Sequence, residues 1–257
     1  LLVQMPDKQP DHSCPAFPPR SEPHGSNRAH RQGLQAHCTS GQNCVSRSQN
    51  CGLEPLHSGI VRIGTVSSVS CHWLPGIIRK FWAKYPNVQL VLHQGDYTSI
   101  CDWVQTGTVD FGFVNPAAAK GLKTQTLRTD PFVAVLPKGH PLAQNPSVSL
   151  QELADEPYLL LEEGCYSEPL EAFRKAGVTP NVRLTMHDDY SILSMVEQGL
   201  GYSLLAELVL QKTAYDVTVC PVDEPILRTM ALVMKDKRGL SAAAKTFMRF
   251  ILAENET

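Results

Sequence analysis

No uninterrupted apolar run in this chain is long enough to cross a bilayer as a helix. Neither sign of charge dominates: 23 Lys and Arg stand against 25 Asp and Glu, a net charge of -2, so composition makes no electrostatic case for a nucleic-acid surface. The first residues, Leu1 to Pro6, lack the charged and apolar regions of a secretory leader, which leads us to expect an intracellular protein. There is no G-x-S-x-G elbow, no H-E-x-x-H pair, no Walker loop and no dinucleotide fingerprint, so nothing positive points to an enzyme or a cofactor.

Apolar periodicity is also missing from residues 1–57. This stretch is rich in Pro, Ser, Gln, His and Arg and cannot bury enough apolar surface to offset chain entropy, which predicts disorder. Its composition is also that of an out-of-frame translation that returns to frame near Ser58, a hypothesis that sequencing the gene would settle. Cys14, Cys38, Cys44 and Cys51 lie here among several histidines, but no C-x2-C pair accompanies them, and we expect no metal. Cys71, Cys101, Cys165 and Cys220 are scattered through the remainder without paired spacing, as suits reduced thiols.

From Ser58 onward strands and helices alternate. Ile60 to Gly64 reads as a buried strand. Leu74, Ile77, Ile78, Phe81, Trp82 and Tyr85 then recur with helical spacing. Further strands are predicted at Val88 to His93, Val109 to Val114, Phe132 to Leu136, Tyr158 to Leu161, Val182 to Met186, Tyr202 to Leu205, Val217 to Pro221 and Thr229 to Met234. Helices fall between them: Ser149-x-x-Glu152 is a capping box, and Glu168 to Ala176 closes at Gly177. Strand-helix-strand units at this spacing imply an α/β fold with a parallel sheet covered on both faces.

Several stretches, in this order, resemble the effector-binding domain of LysR-type transcriptional regulators: Val61-Arg62-Ile63-Gly64, Leu74-Pro75, Phe81 to Pro86, Gly107 to Gly112, Asp130-Pro131-Phe132, His140 to Ala143, Ala176 to Pro180, and Val196 to Leu205. The likeness covers about residues 58–257; the family's winged helix-turn-helix is not recognisable before it. The resemblance implies two Rossmann-like subdomains of the periplasmic-binding-protein type II kind, one formed by 58–130 plus 226–257 and the other by 131–225. It further implies a small organic effector, expected to carry a carboxylate, in the cleft between them. A homodimer or tetramer would form through the helix Leu74 to Tyr85 and the following strand, with Trp82 left for the partner, and DNA would be bound only if an intact helix-turn-helix exists. The alternative is a free-standing solute-binding protein of the same fold.

Candidate effector contacts follow. The turn Val66 to Ser70 offers amides and hydroxyls at a helix start, with Ser67, Ser68 and Ser70 as candidates and Ser68 foremost; simple capping by Ser68 or Ser70 competes with that role. On the opposite wall Glu163, Gly164, Cys165, Tyr166 and Ser167 join a strand to a helix, with Tyr166 placed to close over a ligand. Tyr97 and Asn115 end strands that face the cleft, although turn formation explains Asn115 equally. Asp188 or Asp189 serves either as a helix cap or as a contact. Glu162 and Glu163 disfavour a heavily anionic effector. Cys165 invites a redox reading, but no resolving cysteine lies nearby in sequence.

Overall fold

In the computed structural model, residues 58–212 and 214–255 are described, and the expectations for residues 1–57 lie outside them. The first strand, β1 (Gly59–Thr65), buries Val61 and Ile63 completely. Helical backbone then begins at Ser67, earlier than the apolar stripe alone indicates. A π-helical turn at Val69–Trp73, closed by the Leu74 amide donating to the Val69 carbonyl, feeds α1 (Leu74–Lys84). Pro75, the second residue of α1, has no N–H to continue the ladder and stands at the junction where the π-helical turn gives way to α-helix. Leu74, Ile77 and Phe81 are buried, Ile78 is half-buried, and Trp82 stays 46% exposed.

β2 (Val88–Gln94), α2 (Tyr97–Thr106) and β3 (Phe111–Val114) follow. β2 and β3 both pair in parallel with β1, but the strand that returns beside β3 is antiparallel to it, so the sheet is mixed rather than the parallel one expected. The long β4 (Lys123–Pro137) begins well before the predicted Phe132 and carries the chain from one sheet region to the other. Its first part pairs with the late strand and its second part with two strands of the other half.

The second half comprises α3 (Leu150–Ala154), β5 (Pro157–Leu161), α4 (Glu168–Ala176), β6 (Asn181–Met186), α5 (Asp189–Glu197), β7 (Ser203–Ala206) and β8 (Val217–Cys220). The capping box of α3 forms as the sequence indicates, and Gly177 closes α4 with a left-handed φ of 72°. β5 pairs in parallel with β6, while β7 and β8 run antiparallel to β4. The chain returns through β9 (Leu227–Met234), antiparallel to both β3 and β4, and ends in α6 (Ala242–Asn255).

Two apolar cores result. One gathers Val61, Ile63, Leu74, Phe81, Ile100, Phe111, Phe113, Leu232 and Phe247. Within it Phe81 packs edge-on against Phe247 at 4.6 Å and Phe250 at 5.5 Å between ring centroids, so α6 clamps α1 onto the sheet. The other gathers Val135, Leu153, Tyr158, Phe173, Ile192, Val196, Tyr202 and Leu205. Between these two lobes run β4 and the start of β9, and the polar residues considered next converge there.

Candidate functional site

The lobes meet through side chains that leave from strand ends and helix starts. Ser67, in the first turn after β1, donates its hydroxyl to the Asp189 carboxylate at the start of α5. One residue on, Ser68 accepts from Arg228 Nη1 at 3.0 Å, and Arg228 Nη2 reaches Asp130 Oδ2 at 2.6 Å. Asp130 and Arg228 are direct partners in the β4–β9 register, so this ion pair joins the two crossing strands. Asn115 Nδ2 donates to Glu168 Oε1 at 2.7 Å, and the Tyr97 hydroxyl approaches the same oxygen at 3.4 Å. His72 and Tyr190 meet at 2.8 Å to bridge the lobes on another side.

The loop after β5 docks on the start of α2. The Tyr97 amide donates to the Glu163 carbonyl at 3.0 Å and the Cys165 amide to Thr98 Oγ1 at 2.8 Å. Gly164 makes this approach possible: its φ is 86°, and a methyl group there would run into Thr98 Oγ1.

Above these contacts lies a cavity of about 240 Å³, lined by Val66, Ser67, Gln94, Gly95, Asp96, Leu161, Glu162, Glu163, His187 and Asp189. Four of these carry carboxyls, and none is Lys or Arg. Glu163 is only 8% exposed. Burial first, then the charge of Glu168, pushes its carboxyl up to about 8, against the pull of Arg228. Burial likewise raises Asp189 and Glu168, although hydrogen bonds from Ser67 and Asn115, respectively, oppose the shift. Among the described residues, Asp130, Glu163, Glu168 and Asp189 are thus buried around one buried Lys or Arg, Arg228. Two atoms of this assembly, Glu168 Oε2 and Arg228 Nε, are buried without a hydrogen-bond partner.

Of the residues anticipated from sequence, Ser67 and Glu163 line the cavity. Ser68, Tyr97 and Asn115 lie buried beneath it in the polar network, and Gly164 and Cys165 fix the loop to α2. The others act elsewhere. Neither Ser68 nor Ser70 caps the helix through its side chain: Ser68 holds Arg228, and the Ser70 hydroxyl donates to the Ser67 carbonyl at 2.9 Å. Ser167 caps α4 and Asp188 caps α5, the latter accepting from the Ser191 amide at 2.7 Å. Asn115 does both things the sequence allows, since its Oδ1 also caps the short turn at Ala117 at 2.8 Å. Tyr166 opens instead onto a separate groove of about 360 Å³ with Ala172, Ile226 and Leu227. Sequence reasoning missed Arg228, Glu168 and Asp130, and it did not separate Asp188 from Asp189 in weighing a helix cap against a contact. The signal for Arg228 was present: one guanidinium inside the apolar run Ile226 to Val233.

The family model described as LysR substrate binding domain matches residues 55–256. The chain belongs to the LysR substrate-binding domain family. Among curated LysR-type relatives, the HTH-type transcriptional regulator YvbU of Bacillus subtilis is 30% identical over 195 residues, 75% of this chain and 66% of that protein. The transcriptional dual regulator GltC of the same organism is 29% identical over 206 residues, 78% of this chain and 68% of that protein. The match thus spans about two thirds of each relative. Among solved structures, HinK, a LysR family transcriptional regulator from Pseudomonas aeruginosa, superposes with a TM-score of 0.68 at 26% identity, covering 77% of this chain and 70% of that one. The regulatory domain of CcmR from Synechocystis PCC6803, in complex with 2-PG, gives 0.72 at 23% identity, covering 77% and 98%. This LysR-type domain therefore has the two-lobed fold of effector-binding domains. Among its described residues no helix is long and apolar enough to cross a membrane.

Proposed function

We propose that this chain is the ligand-sensing part of a cytoplasmic LysR-type regulator, and that its lobes, 58–130 with 226–257 and 131–225, close on a small amphoteric metabolite. The observation that carries this reading is the cavity between Ser67 and Glu163, with carboxyls on its walls and neither Lys nor Arg among its lining residues. The helical N-terminus at Ser67 and Ser68 supplies orphan amides for the ligand carboxylate expected from the sequence. Asp189 supplies a carboxylate for an ammonium group on the same molecule, and Glu163, whose carboxyl stands at about 8 in the empty site, supplies a second once that group displaces its proton. A purely anionic ligand would face carboxyls that burial already keeps from ionising freely, with no Lys or Arg lining the cavity to balance its charge.

Closure follows from differential affinity. Contacts from Ser67 to Asp189, and from Asn115 and Tyr97 to Glu168, exist only when the lobes are together, and a ligand touching both walls shifts the population toward that state. Two copies would pair through α1 and β2, where Trp82 and Leu92 remain exposed at the sheet edge. Closure would then change how paired subunits present DNA-binding segments.

A thermal-shift panel pairing amino acids with their deaminated acids (alanine with propionate, aspartate with succinate, lysine with 6-aminohexanoate and hexanoate) tests this reading. Stabilisation by an amino acid that is lost in Asp189→Asn supports it. Stabilisation only by the acids that carry no ammonium (propionate, succinate, hexanoate) contradicts the ammonium assignment, and absence of any shift contradicts the sensing role.

A further inference from the structure

Cys101 and Cys165 are 64 positions apart in sequence and belong to different lobes, yet both thiols point at the Ala118 carbonyl. Cys101 Sγ lies 3.7 Å from that oxygen and Cys165 Sγ 4.0 Å from it, so the two sulfurs can be no further apart than the sum of those distances. The backbone around them is already fixed. The Cys165 amide is held by Thr98, which stands one helical turn before Cys101 on α2, and Gly164 packs against the same residue. Cys165 is exposed and Cys101 half-buried, which gives one thiol open to a reagent and a second sheltered behind it.

We infer that Cys101 and Cys165 form a dithiol site that a low-molecular-weight disulfide converts to a bridge between the lobes. The Cys165 thiolate attacks one sulfur of the reagent, forming a mixed disulfide and expelling one thiolate. The Cys101 sulfur, giving up its proton to solvent, then attacks the Cys165 sulfur and expels the second thiolate. The two protein thiols are oxidised and the reagent is reduced to two thiols. Burial, then the nearby Cys165, pushes the Cys101 thiol up to about 11, so Cys101 on its own is a poor first nucleophile and the order of steps is set. The loop carrying Cys165 is docked on the helix carrying Cys101, which keeps both sulfurs beside one carbonyl oxygen for the exchange. The bridge would tie the Glu163 loop to α2 and hold the lobes together without any ligand, so the inference stands independently of the proposed effector.

The test is exposure of the reduced full-length chain to oxidised glutathione at neutral pH, followed by alkylation and peptide mass spectrometry. The expected result is one peptide pair joined through Cys101 and Cys165, with two of the eight thiols lost to alkylation. In Cys101→Ser the reaction should stop at a glutathione adduct on Cys165, and in Cys165→Ser position 101 should stay reduced. A stable adduct on Cys165 with Cys101 present, a bridge from Cys165 to any other cysteine, or no reaction would each overturn the inference.

Discussion

Glu163 concentrates the chemistry of this domain in one side chain. Its carboxyl stands at about 8 in the folded chain against an ordinary value near 4.5, so the folded state holds its proton more tightly than the unfolded one. Linkage then requires the empty domain to lose stability as pH rises from roughly 4.5 to 8, with Glu168 and Asp189 adding to the slope. Glu163→Gln should flatten that slope and leave the variant more stable than the parent above pH 8, by on the order of a few kcal/mol, as read by urea denaturation across pH. A slope unchanged by the substitution would contradict the assignment. An ammonium ligand should also displace the Glu163 proton, so affinity should rise by up to about tenfold per pH unit below pH 8. Adjacent aspartates offer a sharper contrast. Asp188→Ala removes a cap and should cost about 1 kcal/mol while sparing ligand affinity. Asp189→Asn should spare the cap and weaken binding, and calorimetry on the pair separates the two roles.

The split between Asp188 and Asp189 shows what was legible at this scale. A residue's type and its place before a helix reveal that something is capped, but which of two neighbouring carboxylates turns inward depends on tertiary approach. The same holds for Ser68, singled out beside β1 as a contact or cap but held by Arg228 from 160 residues away rather than capping its own helix. Arg228 could have been noticed as a guanidinium in an apolar strand. Its pairing with Asp130 could not, because it arises from a β4–β9 register that no local pattern encodes.

Among the elements, the docking of the β5–α4 loop on α2 holds the lobes in their observed arrangement. Gly164→Ala forces a left-handed backbone and a clash with Thr98, and should destabilise the domain by about 1–3 kcal/mol while opening the cleft. Faster amide exchange at Tyr97 and Cys165, the two donors across that contact, would report the opening. The crossing strands carry the other constraint. Asp130→Asn leaves the buried Arg228 without its counter-charge and should cost about 3 kcal/mol or more. Most elements were readable from periodicity and caps: the stripe of α1, the capping box of α3 and Gly177 at the end of α4 stand where the sequence put them. The early start of β4 was not, because Lys123 to Thr129 is polar and its strand state comes from pairing with β9.

For the whole molecule, two apolar cores with a polar, acid-rich seam between them favour motion at the seam rather than within either lobe. Hydrophobic packing holds each lobe, whereas the seam depends on a few hydrogen bonds whose worth changes with pH and ligand. The proposed pairing of subunits uses the outer edge, away from the cavity. Trp82→Glu should therefore reduce the chain to a monomer in light scattering at micromolar concentration while leaving ligand affinity intact. A parent chain already monomeric under those conditions would remove the dimer.

The central claim is that the space between Ser67 and Glu163 receives the ligand. A residue-resolved NMR titration with the most stabilising amino acid of the panel tests it directly. The account predicts that the largest shifts fall on the amides of Ser67, Gly95, Glu163, His187 and Asp189, together with contacts across both lobes. Shifts confined to the separate groove beside Tyr166 and Ile226, or to neither place, would contradict it.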